Sequence, residues 1–273
     1  MLVAGVFFTL MNFGVKYLEN IPAIEIVLFR SIVSLVISAI MIKQMGLSFL
    51  GNNKIVLFLR GFFGVVALSL YFFTLQKLPF ASAVTIMQLS PIFTTILAIF
   101  ILKEVVKAPQ WLFFLVSFVG VALIKGFNPD IPLKYFMLAL LSTFFSALAY
   151  NMVRKLKDSD HPIVVVFYFP LVALPFAGIL SYFQWVQPSW TEFLILLGIG
   201  IATQIAQVNM TKAMQLEELG KVSIVGYLTM VYALFIGAIF FKETYNWITL
   251  VGMGLVIAGV LLNLRFTRTK KEL

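Results

Sequence analysis

Apolar positions along this chain do not alternate with polar ones; they come in runs too long for strands. Walking the sequence gives ten such runs: 1–18, 22–43, 54–76, 79–102, 108–125, 132–154, 162–183, 190–213, 219–241 and 246–266. A helix that crosses the hydrocarbon core of a bilayer takes about 20 mostly apolar residues, so each run predicts a transmembrane helix. Turn and charge signals fill the gaps: Asn20 with Pro22, Gly51-Asn52-Asn53-Lys54, Lys77 with Pro79, and Asn128-Pro129-Asp130. The longest polar stretch, Arg154 to His161, divides the chain near its middle. The first run lacks a basic segment ahead of it and reads as a membrane helix, not a cleavable signal peptide.

Composition removes the water-soluble alternative. Hydrophobic residues make up 62% of the chain and charged ones 11%, against about 25% charged in an ordinary soluble domain. A soluble protein of this make-up lacks the polar residues to cover its surface. The net charge of +9 would suggest nucleic acid as a partner in a soluble protein; here the cations sit between apolar runs and report topology instead. With the N-terminus inside, the inner connections and the C-terminal tail hold 13 Lys and Arg and the outer connections 5. By the positive-inside rule both termini are cytoplasmic, in a multi-pass protein of the cell (inner) membrane.

Little catalytic chemistry is on offer. The chain has no cysteine and one histidine, His161, beside Pro162 in the central loop. An ordinary zinc site is excluded, and so is a Ser/His/Asp set near the membrane centre. We therefore expect no metal, no cofactor and no enzyme; an integral-membrane enzyme would have only Asp158, Asp160 and His161 to work with. No run carries an Asp or Glu near its middle, which weakens the case for strong coupling to protons or sodium. Gly198-Ile199-Gly200 and Gly252-Met253-Gly254 mimic part of a dinucleotide loop, but they lie in apolar runs with no strand before them. Close helix packing explains them better.

A shift of 139 residues aligns the two halves without a gap. Asn12 falls on Asn151, Lys16 on Lys155, Gly61 on Gly200, Gln76 on Gln215, Lys103-Glu104 on Lys242-Glu243, and Gly120 on Gly259. Five helices per half is an odd number, so the second copy crosses the membrane in the opposite sense. The expected architecture is all-α and integral to the membrane: ten transmembrane helices as two inverted five-helix repeats, residues 1–127 and 128–273. Repeats of this kind suit alternating access to a central site.

Several stretches resemble the EamA-type branch of the drug/metabolite transporter superfamily. They are Arg60-Gly61, then Leu78-Pro79-Phe80-Ala81-Ser82-Ala83, Ser90-Pro91 and Lys103-Glu104, with Phe29-Arg30-Ser31 and Ala149-Tyr150-Asn151 ahead of Arg154-Lys155. The resemblance covers nearly the whole chain. It implies a ten-helix basket and movement of small metabolites, often export of amino acids or related compounds.

Polar groups deep in a bilayer are costly unless they face a cavity or a partner helix, which singles out candidates. In the fourth run Thr85, Gln88 and Thr95 have helical spacing around Pro91, which weakens the helix at its own turn. The eighth run carries Thr203, Gln204, Gln207 and Asn209, with Gln207 near its centre. Tyr71, Tyr150 and Tyr227 offer flat apolar faces with a hydroxyl, and Asn12 and Asn151 are repeat-related. Arg30 and Arg60 are the cations within the runs; Arg60 is close enough to the boundary to snorkel, whereas Arg30 is deeper. Arg30 is a candidate for binding a carboxylate or phosphate. The plainer reading for every one of these is helix packing and interhelical hydrogen bonding. The substrate-contacting set is thus Asn12, Arg30, Tyr71, Thr85, Gln88, Tyr150, Asn151, Gln207 and Tyr227, with Pro91 as a structural kink. The function expected is a small-molecule carrier that exports amino acids or related amphiphiles by alternating access, with nucleoside-like or cofactor-like aromatic metabolites as the alternative cargo. A non-transporting membrane subunit is the remaining alternative.

Overall fold

The computed structural model describes residues 2–126, 131–216 and 228–269. Among these residues there are helices and no strand: α1 (Leu2–Tyr17), α2 (Ala23–Gln44), α3 (Lys54–Lys77), α4 (Phe80–Met87), α5 (Ser90–Ile101), α6 (Ala108–Gly126), α7 (Leu133–Lys155), α8 (Pro162–Tyr182), α9 (Trp190–Leu216), α10 (Leu228–Phe240) and α11 (Trp247–Thr269). Seven spans are long and apolar enough to cross a membrane, and Leu2–Tyr17, Thr229–Phe240 and Trp247–Asn263 are shorter apolar helices. α4 and α5 share the fourth expected span. The opening of the ninth, 219–227, lies outside the described residues.

A lipid-facing backbone has no water to bond, so each span satisfies its own amides as a helix. The starts are marked by residues that stop the helix cleanly. Pro22, Pro79 and Pro132 stand in extended conformation just before α2, α4 and α7, where the missing N–H leaves no donor unpaired. Asn53 and His161 cap α3 and α8 through side-chain acceptors, His161 Nδ1 taking the Ile163 amide at 3.3 Å. Trp111, Trp190 and Trp247 lie in the first turns of α6, α9 and α11, and Trp185 lies between α8 and α9; all four are exposed, as expected of an interfacial belt.

The packing is nearly invariant to exchanging the halves. α3 packs on α7 and α1 on α9; α2 packs on α8; α2 on α9 matches α3 on α8; α6 lies along α11. Individual bonds repeat as well. Gln76 donates to Ile21 O at 2.9 Å, and Gln215 to Asp160 O at 3.4 Å, each pair being 139 residues from the other. Lys103 and Lys242 are the non-glycine residues with positive φ, 56° and 52°. Each follows its helix end under the same backbone bond to a carbonyl six residues back, Glu104 N to Ala98 O and Glu243 N to Gly237 O. Along the α6–α11 seam the backbones touch. A Cβ added at Gly120 would stand 2.5 Å from Gly252 O, and one at Gly259 would stand 2.6 Å from Phe113 O.

Candidate functional site

The fourth span does not run through. α4 ends at Met87, Gln88 and Leu89 form a turn, and α5 starts at Ser90 with Pro91 in its first turn. Proline supplies no N–H to the Met87 carbonyl and its ring crowds that carbonyl, so the ladder is broken here and not merely bent. The Gln88 and Leu89 amides tighten onto Thr85 O and Ile86 O, three residues back. From α7 the Thr143 hydroxyl reaches Ile86 O at 3.4 Å while donating to its own Ala139 O at 2.8 Å.

Against this break lies a cavity of about 190 Å³. Its lining comes from α1, α3, the α4–α5 break, α7, α9 and α10, and from Phe169 of α8. Its apolar lining includes Phe8, Met11, Leu68, Met87, Met210 and Met214. Its polar lining includes Asn12, Tyr71, Tyr150, Gln88, Gln207, Thr229 and Arg60. Side-chain amide and guanidinium bonds cross it from one half of the chain to the other. Gln88 Nε2 donates to Thr229 Oγ1 at 2.7 Å, and Arg60 Nη2 donates to Gln207 Oε1 at 3.2 Å.

Arg60 is 3% exposed and does not snorkel. Its guanidinium lies 5.3 Å from the Phe169 ring centre, and that of the fully enclosed Arg30 lies 4.5 Å from the same ring. Among the described residues neither arginine makes a salt bridge; the two that occur are Lys16–Glu19 and Arg154–Glu104. Glu25, five residues before Arg30, instead accepts the Val186 amide at 3.1 Å.

Of the sequence-selected residues, Asn12, Tyr71, Gln88, Tyr150 and Gln207 line the cavity, with Pro91 at its edge. Arg30 is outside the lining, its guanidinium 4.5 Å from the centre of the Phe169 ring. Thr85 and Asn151 are fully buried away from the cavity. The Thr85 hydroxyl donates to Ala81 O at 2.7 Å, and Asn151 Nδ2 to Thr94 O and Ala147 O at 3.0 and 3.1 Å. Thr95 likewise bonds within its own helix, to Pro91 O, so the supposed face of Thr85, Gln88 and Thr95 is divided by the break. Tyr227 lies outside the described residues. The sequence reading passed over Arg60 as a cavity residue and gave no weight to Thr229, Ser146 or Phe169. For Arg60 a signal existed in Gly61 and Gly64: side chains there would collide with Tyr168, Val172 and Phe169 of α8, so this face of α3 is turned inward.

Near the α4 N-terminus, Glu243 accepts the Phe80 amide, the Ala81 amide at 3.4 Å and the Tyr245 hydroxyl at 2.9 Å. Burial, with the Glu243 carboxylate beside it, pushes the Tyr245 hydroxyl well above its ordinary range and keeps it a donor. Asp160 and His161, the thin catalytic alternative, are engaged with backbone: Asp160 takes the Asn52 and Asn53 amides at 2.6 and 3.2 Å, and His161 caps α8.

An all-helical bundle of two repeats around a half-polar cavity is the architecture of a polytopic membrane carrier. The profile of the EamA-like transporter family matches residues 1–126 and 133–265, and the chain belongs to that family. It is similar to the pseudopaline exporter CntI of Pseudomonas aeruginosa, 29% identical over 272 residues covering 98% of this chain and 95% of that one. It is also similar to solute carrier family 35 member G1 of Homo sapiens, 30% identical over 276 residues covering 94% and 76%. A crystal structure at 17% identity shares the fold, with a TM-score of 0.68 over 97% of this chain and 98% of the other. The protein is a membrane transporter of the drug/metabolite transporter superfamily, not an enzyme.

Proposed function

We propose that this chain exports small amphiphilic metabolites, amino acids or related compounds, across the cell inner membrane by alternating access between repeats 1–127 and 128–273, with both termini cytoplasmic. The observation that carries the reading is the cavity bridged by Gln88–Thr229 and Arg60–Gln207. Both bonds join the halves at the point where a solute would sit, and a solute that replaces them unties one half from the other. The volume of about 190 Å³ falls below the roughly 300–1,000 Å³ of pockets for drug-sized ligands, which favours cargo of amino-acid size. Outward direction is supported by the likeness to an exporter, and orientation by the excess of cations on one side. Asn12, Tyr71, Gln88, Tyr150 and Gln207 contact the solute in this reading; Arg30 backs the site through Phe169, and Thr85 and Asn151 hold its walls. A second reading, a nucleoside-like or cofactor-like aromatic cargo, draws on the rings of Phe8, Tyr71, Tyr150 and Phe169 in the lining.

The test is flux in sealed proteoliposomes offered a mixed pool of amino acids, nucleosides and vitamins, read by mass spectrometry. A solute of the first class is expected to cross only with the intact protein. Gln88→Ala and Gln207→Ala are each expected to lower the rate about tenfold or more, on the scale of a hydrogen bond to a bound polar group, with expression unchanged. Normal flux in both variants sinks the site assignment, and nucleoside or vitamin flux alone favours the second reading.

A further inference from the structure

Two guanidiniums are enclosed in the bundle, and among the described residues neither makes a salt bridge. Phe169 lies within 4.5 Å of one and 5.3 Å of the other, which puts the two like charges about 10 Å apart or closer, where they repel in a medium of low dielectric. Each buried cation loses its hydration, and a ring face returns only a part of that loss. The side-chain hydrogen bond that Arg60 makes is to a neutral amide, that of Gln207, and its Nε has no partner. Nε and Nη1 of Arg30 are also without partners. Among the described residues the lining contains no Asp or Glu. A cavity lined by one fork of donors, with a second positive charge packed on one of its rings and no Asp or Glu among the described lining, favours an anion and opposes a cation.

Taking the transport reading above as given, we infer that Arg60 is the receptor for a carboxylate on the cargo, with Arg30 reinforcing the positive field across Phe169. The carried solutes are then organic anions: a carboxylate docked on the Arg60 fork in place of Gln207, and an apolar body against Met11, Met87, Met210 and Leu68. Gln207, released by the incoming carboxylate, is the element of α9 that reports occupancy to the second half.

The experiment uses the purified full chain in detergent and three matched probe pairs: N-acetylleucine and its amide, N-acetyltryptophan and its amide, and benzoate and benzamide. Dissociation constants come from the ligand-dependent rise of the unfolding midpoint. At least one carboxylate is expected to bind about tenfold or more tightly than its amide. That preference disappears in Arg60→Gln, is partly kept in Arg60→Lys, and shrinks in Arg30→Gln. Without ligand, Arg60→Gln and Arg60→Met unfold at or above the wild-type temperature, because each removes an unbalanced buried charge; a purely structural arginine would show a loss. The inference is overturned if no carboxylate is favoured over its amide, or if the preference survives in Arg60→Gln. Carboxylate preference without flux of any solute would leave the receptor standing and bring down the transport reading; flux without carboxylate preference would do the reverse.

Discussion

Asn12 and Asn151 hold matching places in the two halves and meet different surroundings. Asn12 faces the cavity, whereas Asn151 ties α7 to the Thr94 carbonyl of α5. Asn151→Ala is expected to lower stability by about 1 kcal/mol, the scale of an interhelical bond in a membrane, with flux per folded molecule kept. Asn12→Ala is expected to cut flux and leave the unfolding midpoint close to wild type. Unfolding in detergent and initial rates normalised to folded protein check both; the same pattern in the two variants would deny the distinction. Sequence shows that both amides are buried but not which way they point, because an apolar run has no polar stripe to set its phase. Arg60 illustrates the same limit. Its distance from the span end fits snorkelling, and only the contact of Gly61 and Gly64 with α8 turns it inward.

At the scale of elements, the interrupted fourth span and the Glu243 cap belong together. Pro91 frees α4 from α5, and the carboxylate of the α10–α11 turn then holds the α4 N-terminus by its first amides, where a negative charge is favoured. The corresponding Glu104 pairs with Arg154, both at the opposite end of the bundle. Glu243→Gln keeps the side-chain shape and weakens the hold on α4. It is expected to raise labelling of a cysteine placed at Ser146, in the cavity, by an impermeant maleimide applied outside cells, about threefold or more for a loss on the scale of ~1 kcal/mol. Unchanged labelling would mean that this contact closes nothing. The chain has no cysteine of its own, so the background is clean. The Lys-Glu pairs were legible as a repeat signal, since polar residues in register are rare in apolar sequence. Their separate partners were not, because Glu243 meets residues 163 positions away.

For the whole molecule, ten spans and a duplication could be read from run lengths and one offset, because the bilayer fixes helix length and a repeat keeps its turn and glycine positions. The pairing of spans around the cavity follows from the same symmetry. Phe169 could not be anticipated: it sits in a run with no polar marker, and its part depends on two arginines from other helices. The two-fold exchange of contacts between halves is the symmetry on which the proposed alternating access rests.

The most direct test of that account is to block the cavity. Ser146→Cys places a thiol in the lining, and Ile179→Cys places one on the lipid-facing surface. In proteoliposomes carrying a solute that the intact protein moves, a permeant thiol reagent is expected to abolish flux through the Ser146 variant and spare the Ile179 variant, with modification of both confirmed by mass. Full flux through the modified Ser146 variant would contradict the claim that cargo passes through this cavity.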